Sequence, residues 1–120
     1  MRFVPLLCLL ACSVPNAEGP RVQRLPADTF LSALAAEPDA YLVDCRTPSE
    51  QAAGMLPGAV SMDFRAPGFR DAAERMDPSR PIYVYCAAGG RSARAAQVFD
   101  SLGFSKVVDL AGGYRGLKGD

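Results

Sequence analysis

The chain contains no histidine, and its 13 Lys and Arg residues are matched by 13 Asp and Glu. Without histidine the commonest general base and metal ligand is missing, so Ser-His and Cys-His catalysis are excluded. A net charge of zero leaves no basic excess of the kind that nucleic acid attracts, and no nucleic-acid partner is expected. The four cysteines, at positions 8, 12, 45 and 86, show neither CxxC nor Cys/His spacing. That argues against a zinc site, and neither a metal nor a cofactor is expected. Also missing is an apolar run long enough to remain in a bilayer as a permanent span. What is left, in 120 residues, is material for one domain with a single core, expected to work as a monomer.

The longest apolar run lies at the N-terminus. Met1-Arg2 carries one positive charge, Phe3 to Val14 is almost wholly apolar, and Pro15, Asn16 and Gly19 follow. A short charged start and a brief apolar core form the layout of a secretory signal. Residues 1–19 are therefore read as leader plus tether and residues 20–120 as the folded domain. Leu9-Leu10-Ala11-Cys12 is similar to the lipobox of bacterial lipoproteins, which implies a lipid anchor on Cys12. Leu10 stands where a small residue is usual, and ordinary cleavage after Ser13 or Ala17 is the alternative. Both routes predict export to a bacterial periplasm. A buried N-terminal helix is disfavoured by Pro5 and Pro15.

Beyond the tether, strand and helix signals alternate. Arg21 to Leu25 reads as a short strand ended by Pro26. Asp28 opens a helix with Phe30, Leu31 and Leu34 on its apolar face, and Glu37-Pro38-Asp39 breaks it. Tyr41 to Cys45 is a continuous apolar run of strand length, as in a parallel strand covered on both faces. Thr47-Pro48-Ser49-Glu50 is a capping box with proline at the first helical position, starting a helix that stops at Gly54. Ala59 to Met62 is a brief strand, and Phe69 to Met76 a small helix. Ile82 to Tyr85 is a buried strand of β-branched and aromatic residues. A helix from Ser92 follows, burying Ala95, Ala96, Val98, Phe99 and Leu102, with Gly103 as its cap. Val107 to Leu110 is the last strand, and Gly112 to Leu117 a closing turn. Five strands alternating with helices predict a three-layer α/β/α domain around a central parallel sheet.

In such sheets, sites gather at the carboxyl ends of the strands, and Cys86 stands at one. The loop Cys86-Ala87-Ala88-Gly89-Gly90-Arg91-Ser92 runs from a strand into a helix N-terminus, which aims backbone N–H groups and the positive end of the helix dipole at the sulfur. Gly89 and Gly90 are both able to take positive φ and close the loop around an anion. Arg91 is expected to add a fixed positive charge. An ordinary cysteine, with a pKa of about 8.5, is only slightly ionised at neutral pH, whereas a helix N-terminus and an adjacent arginine lower that value. The plain alternative is an inert thiol packed at a strand end, which leaves the loop unexplained.

Four separated stretches resemble the rhodanese homology domain family. Leu42-Val43-Asp44-Cys45-Arg46-Thr47-Pro48-Ser49-Glu50 is similar to its first signature, and Gly54-Met55-Leu56-Pro57-Gly58-Ala59-Val60 follows at the family spacing. Tyr85-Cys86-Ala87-Ala88-Gly89-Gly90-Arg91-Ser92 looks like the active-site loop, and Leu110-Ala111-Gly112-Gly113-Tyr114 like the closing signature. In this order the set is specific, and it runs from about Val22 to Leu117. The resemblance implies a sulfurtransferase in which Cys86 and Arg91 are catalytic and Cys86 carries a persulfide. Backbone amides of Ala87, Ala88, Gly89, Gly90 and Ser92 would hold that persulfide. The implied partners are a small-molecule sulfur donor (thiosulfate, persulfide or polysulfide) and a thiol, cyanide or protein acceptor. Phosphatases and arsenate reductases with a related cradle have a loop one residue longer, as a tetrahedral oxyanion requires, so the short loop favours a single sulfur atom.

Several positions depart from the family pattern. Cys45 replaces the usual valine. Alternation next to Asp44 favours a small hydrophobe turned away from Cys86; were it to face Cys86, it would be a resolving thiol or a disulfide partner. Leu117 replaces a common tryptophan, and Met55-Leu56 a His-Ile pair. Asp44 and Arg46 match the family's Asp-x-Arg and are expected to be scaffold. The loop carries no added basic residue, which predicts weak use of thiosulfate and a preference for persulfide or polysulfide. Two other classes stand beside the enzyme reading: a non-catalytic binding or sensing module, and a thiol-redox protein using Cys45 with Cys86.

Overall fold

Runs of β-branched and aromatic residues bounded by Pro, Gly and Asp become the strands, and the capped or alanine-rich segments between them become helices. The structure, a computed structural model, describes residues 21–118; the expected leader and the lipid site at Cys12 lie outside the described residues. In chain order the elements are β1 (Val22–Leu25), α1 (Ala27–Ala35), β2 (Tyr41–Asp44), α2 (Pro48–Gln51), β3 (Val60–Ser61), α3 (Phe69–Glu74), β4 (Ile82–Tyr85), α4 (Gly90–Ser101), β5 (Val107–Leu110) and α5 (Gly113–Leu117). The sheet runs β1-β5-β4-β2-β3, and every pairing is parallel. The three-layer architecture and five-stranded parallel sheet match the expectation.

The period of two along each strand divides the core. Val43, Cys45, Ile82, Val84, Cys86 and Val107 pack with Phe69 and Ala73 of α3 and with Ala95, Ala96 and Phe99 of α4. Leu42, Tyr83, Tyr85, Val108 and Leu110 pack on the other face with Phe30 of α1, and Tyr114 and Leu117 of α5 lie against them. Phe99 is the hub of the first layer, edge-to-face with Phe69 at 5.6 Å and Phe104 at 5.2 Å. Such ring pairs add roughly 0.5–1.5 kcal/mol beyond the area they bury.

Several boundaries and one side chain differ from the sequence reading. β3 is a two-residue edge strand: Ala59 N–H is taken by the Leu56 carbonyl in the preceding turn, and Met62 N–H makes a last bond to the Asp44 carbonyl of β2 before the chain leaves the sheet. α3 stops at Glu74. α4 starts at Gly90 rather than Ser92, which puts Arg91 and Ser92 inside its first turn. Leu31 is 39% exposed while Phe30 is fully buried: one residue rotates the side chain by about 100° on a helix of 3.6 residues per turn, enough to carry it off the core face.

Candidate active site

β4 is buried at every residue, and Cys86 follows it directly with 1% exposure. The chain then turns back over the sulfur. Gly89 N–H donates to Sγ at 3.1 Å and Ser92 N–H at 3.3 Å, and the Ser92 hydroxyl lies 3.5 Å from it. Of the two glycines expected to turn the loop, only Gly89 takes positive φ, at 110°, as the N-cap of α4. Gly90 is already helical. A Cβ on Gly89 would also come within 2.3 Å of the Arg24 guanidinium and push that side chain aside, but it is the positive φ that demands glycine there.

The far side of the loop is held by the closing motif. Tyr114 N–H donates to the Cys86 carbonyl at 2.8 Å and Arg115 N–H to that of Ala87 at 3.0 Å. This docking brings α5 so near that a Cβ on Gly113 would sit 2.5 Å from the Ala87 oxygen. Gly112-Gly113 is thus a fastening for the cysteine loop.

The sulfur is set up as a thiolate. Its pKa is pushed down to about 4, most strongly by the Cys45 thiol that hydrogen-bonds to it, against the cost of burial, with the Ser92 hydroxyl, Ser92 N–H and Gly89 N–H adding to the effect. Cys45 is the counterpart: its pKa is driven up, first by hydrogen bonding to Cys86 and then by burial. The reading that turned Cys45 away from Cys86 is therefore corrected. Both side chains belong to the same buried layer, because Val43 pairs with Val84 and Asp44 with Tyr85, which sets Cys45 level with Cys86 one residue on.

Arg91 does not stand free over the loop. Its Nη1 and Nη2 donate to Oε1 and Oε2 of Glu50 at 2.7 and 2.9 Å. That bidentate pair is the leading reason the Glu50 carboxyl lies well below the usual carboxylate range. Glu50 also accepts from Thr47 N–H at 2.9 Å, completing the capping box of α2. The expected fixed charge is thus present as a charge-compensated tie between α4 and α2; Cys86 acts on it electrostatically, but Arg91 is absent from the leading causes of the Cys86 shift.

Two further residues of the site have no motif signal. Asp109, at the carboxyl end of β5, accepts from the Ser92 hydroxyl at 2.5 Å and forms an ion pair with Arg24 of β1. Arg24 also donates to the Gly89 carbonyl at 3.3 Å. Burial raises the Asp109 pKa despite these partners. Strand order alone brings them together, since β5 lies between β1 and β4.

On the opposite face Asp44 and Arg46 form the expected scaffold. Arg46 donates to Asp44 at 2.8–3.2 Å and to the Gly54 carbonyl at 2.6 Å, and lies over the Tyr114 ring at 4.2 Å. Burial works to raise the Asp44 pKa, but hydrogen bonds from Arg46 and Tyr85 hold it below its ordinary value. Among the described residues no cluster of His, Cys, Asp or Glu has metal-binding geometry.

Comparison with known proteins bears on the family and the fold. The chain is 32% identical over 92 residues to a protein named Sulfurtransferase from Allochromatium vinosum, covering 77% of this chain and 84% of that one. It is 37% identical over 75 residues to the thiosulfate sulfurtransferase GlpE of Pseudomonas entomophila, covering 62% and 67%. Among solved structures, the human single-domain sulfurtransferase TSTD1 superposes with a TM-score of 0.65 at 26% identity, over 85% of this chain and 98% of that one. Residues 27–120 match the Rhodanese-like domain, and the chain belongs to that family.

Proposed function

We propose that this protein is a sulfurtransferase that moves a sulfane sulfur from a donor to a nucleophilic acceptor by way of a Cys86 persulfide. The observation that carries the reading is a buried Cys86 sulfur that accepts from two backbone N–H donors at 3.1 and 3.3 Å. The Cys86 thiolate attacks the outer sulfur of the donor and the donor's bond to that sulfur breaks. The leaving group is sulfite from thiosulfate, or a thiolate from a persulfide. A cyanide or thiolate acceptor then attacks the outer sulfur and returns Cys86 as thiolate. No general base takes part, since Cys86 is already ionised at neutral pH.

Gly90 and Arg91 supply first-turn amides of α4, which have no acceptor within the helix. With those of Ala87 and Ala88 they offer donors to an outer sulfur bearing the negative charge. Because Glu50 already engages the Arg91 guanidinium, a dianion such as thiosulfate meets little uncompensated positive charge. That supports weak thiosulfate use and a preference for persulfide or polysulfide; a thiosulfate KM in the low micromolar range would contradict it. The leader-like start of the chain supports action in the periplasm, which cell fractionation would test.

The deciding measurement is the intact mass of the protein with and without polysulfide. Read immediately on mixing, the expected result is a gain of about one sulfur atom, removed by cyanide and absent in Cys86→Ser. Equal sulfur uptake by Cys86→Ser would overturn the assignment.

A further inference from the structure

Cys45 and Cys86 follow adjacent parallel strands and lie level with one another. The pairing of Val43 with Val84 and of Asp44 with Tyr85 continues in the bond from Cys45 N–H to the Tyr85 carbonyl at 2.9 Å. Both side chains face the α3/α4 layer, and both are free thiols. Paired strands run about 4.7–4.9 Å apart, inside the range of about 4.4–6.8 Å over which Cα atoms accept a disulfide. Cys45 is 0% exposed, so no external donor or oxidant reaches it. Among the described residues the other free thiol is Cys86, in the same buried layer.

Resting on the sulfurtransferase reading, we propose that Cys45 is a built-in resolving thiol that discharges the Cys86 persulfide as hydrosulfide and leaves a Cys45–Cys86 disulfide. Donors approach Cys86 from beneath the loop, because its other side is packed core. The added sulfur is placed under the loop amides that already face Sγ, which leaves Sγ itself to Cys45 in the shared layer. In the step, the Cys45 proton passes to the outer sulfur. The Cys45 sulfur bonds to Cys86 Sγ, the bond from Sγ to the outer sulfur breaks, and that sulfur leaves as HS⁻ with the bonding pair. The sulfane sulfur gains two electrons and the two cysteines together lose two, so no outside oxidant is needed. A thiol reductant, two thiols per turnover, reopens the disulfide. While Cys86 is a bare thiolate, its charge and burial push the Cys45 thiol up and hold its proton in place. Addition of a sulfur moves the charge one atom outward and frees Cys45 to react.

The test loads the full chain with polysulfide, removes excess donor, and leaves it without an acceptor. Hydrosulfide release, intact mass after alkylation, and peptide mapping are then followed in wild type, Cys45→Ala and Cys45→Ser. Wild type is expected to release about one equivalent of hydrosulfide and yield a linked Cys45–Cys86 peptide. Both variants should keep the added sulfur, with release slowed at least about tenfold, yet still pass it to cyanide. Wild type that loads but retains its sulfur with no linked peptide overturns this inference and leaves sulfur transfer standing. Failure of wild type and both variants to load overturns both readings. Because the linked peptide is sought in the wild type, an ill-folded variant does not blur the outcome.

Discussion

β2 and β4 are neighbouring parallel strands that each end in a cysteine and turn into a helix, yet the two turns treat their helix N-termini in opposite ways. After β2 the free amides are taken by the protein itself. Arg46 N–H donates to Asp44 at 3.0 Å, Thr47 N–H to Glu50, and Glu50 N–H to the Thr47 hydroxyl at 3.4 Å. After β4 the N-cap is Gly89, which has no side chain to cap with, and the amides of Gly89 and Ser92 go to the Cys86 sulfur. Helix N-termini stabilise whatever anion reaches them. One turn spends that capacity on its own carboxylate and gains rigidity. The other leaves it for a thiolate and gains reactivity. The tie between Arg91 and Glu50 joins the two, so the self-capped helix braces the reactive one.

The sharpest way to break the contrast is to give the second turn a side chain. Gly89→Ala introduces a Cβ at φ 110° and against Arg24, which costs about 1–3 kcal/mol of backbone strain and pulls the amide off the sulfur. Sulfur transfer is expected to fall at least about 100-fold, comparable to removing one preorganised donor from an anion hole. A variant that keeps the wild-type rate would show that the Gly89 amide is dispensable.

Ser92→Ala is expected to act next most strongly. It removes the hydroxyl that lies between Cys86 and Asp109 but keeps the Ser92 amide. The Cys86 pKa, about 4 in the intact site, should rise by roughly one to two units, since each unit is about 1.4 kcal/mol of preference for the ionised form. Alkylation by iodoacetamide as a function of pH reads this directly. At pH 7 both proteins remain ionised and react alike, whereas near pH 5 the variant should be slower by up to about tenfold. An unmoved profile would mean that the hydroxyl serves Asp109 alone.

Much of this contrast is legible in the chain. Ile82 to Tyr85 is strand by composition, Cys86 ends it, and four small residues precede Arg91. Thr47-Pro48-Ser49-Glu50 is a cap by pattern, and the structure has both halves of it. What cannot be read is how separate strand ends abut. Glu50 fulfils its local role in the capping box, so nothing in the sequence hints that its carboxylate also meets Arg91 41 positions away. Asp109 and Arg24 look like ordinary strand residues until the order β1-β5-β4 brings them under the loop. The side taken by Cys45 was misread for the same reason. Alternation tells which residues share a face, but only the register with β4 tells which face Cys86 takes.

The tie between the two turns should matter least to the sulfur and most to stability at mild pH. Arg91→Gln removes the guanidinium but leaves the loop amides in place. Since amides, the Ser92 hydroxyl and Cys45 dominate the Cys86 shift, the alkylation profile should move by less than about half a unit. The loss shows instead in unfolding. The pair is partly exposed, at 15% and 32% of its side chains, so solvent screening limits its worth to about 1 kcal/mol, roughly 4–8 °C in a domain of this size. Its pH dependence has a definite sign. Glu50 ionises more readily in the folded chain, led by Arg91, so the stabilisation is complete above the unfolded carboxylate value of about 4.3. It declines as pH falls toward the lower folded value. Wild type and Arg91→Gln should therefore differ near pH 7, begin to converge as pH falls through about 4, and meet only below the lowered folded value of Glu50, with the Cys86 contribution largely common to both. A Glu50→Gln and Arg91→Gln double-mutant cycle isolates the coupling. A difference that instead grew on acidification would assign the stabilisation to some other carboxylate.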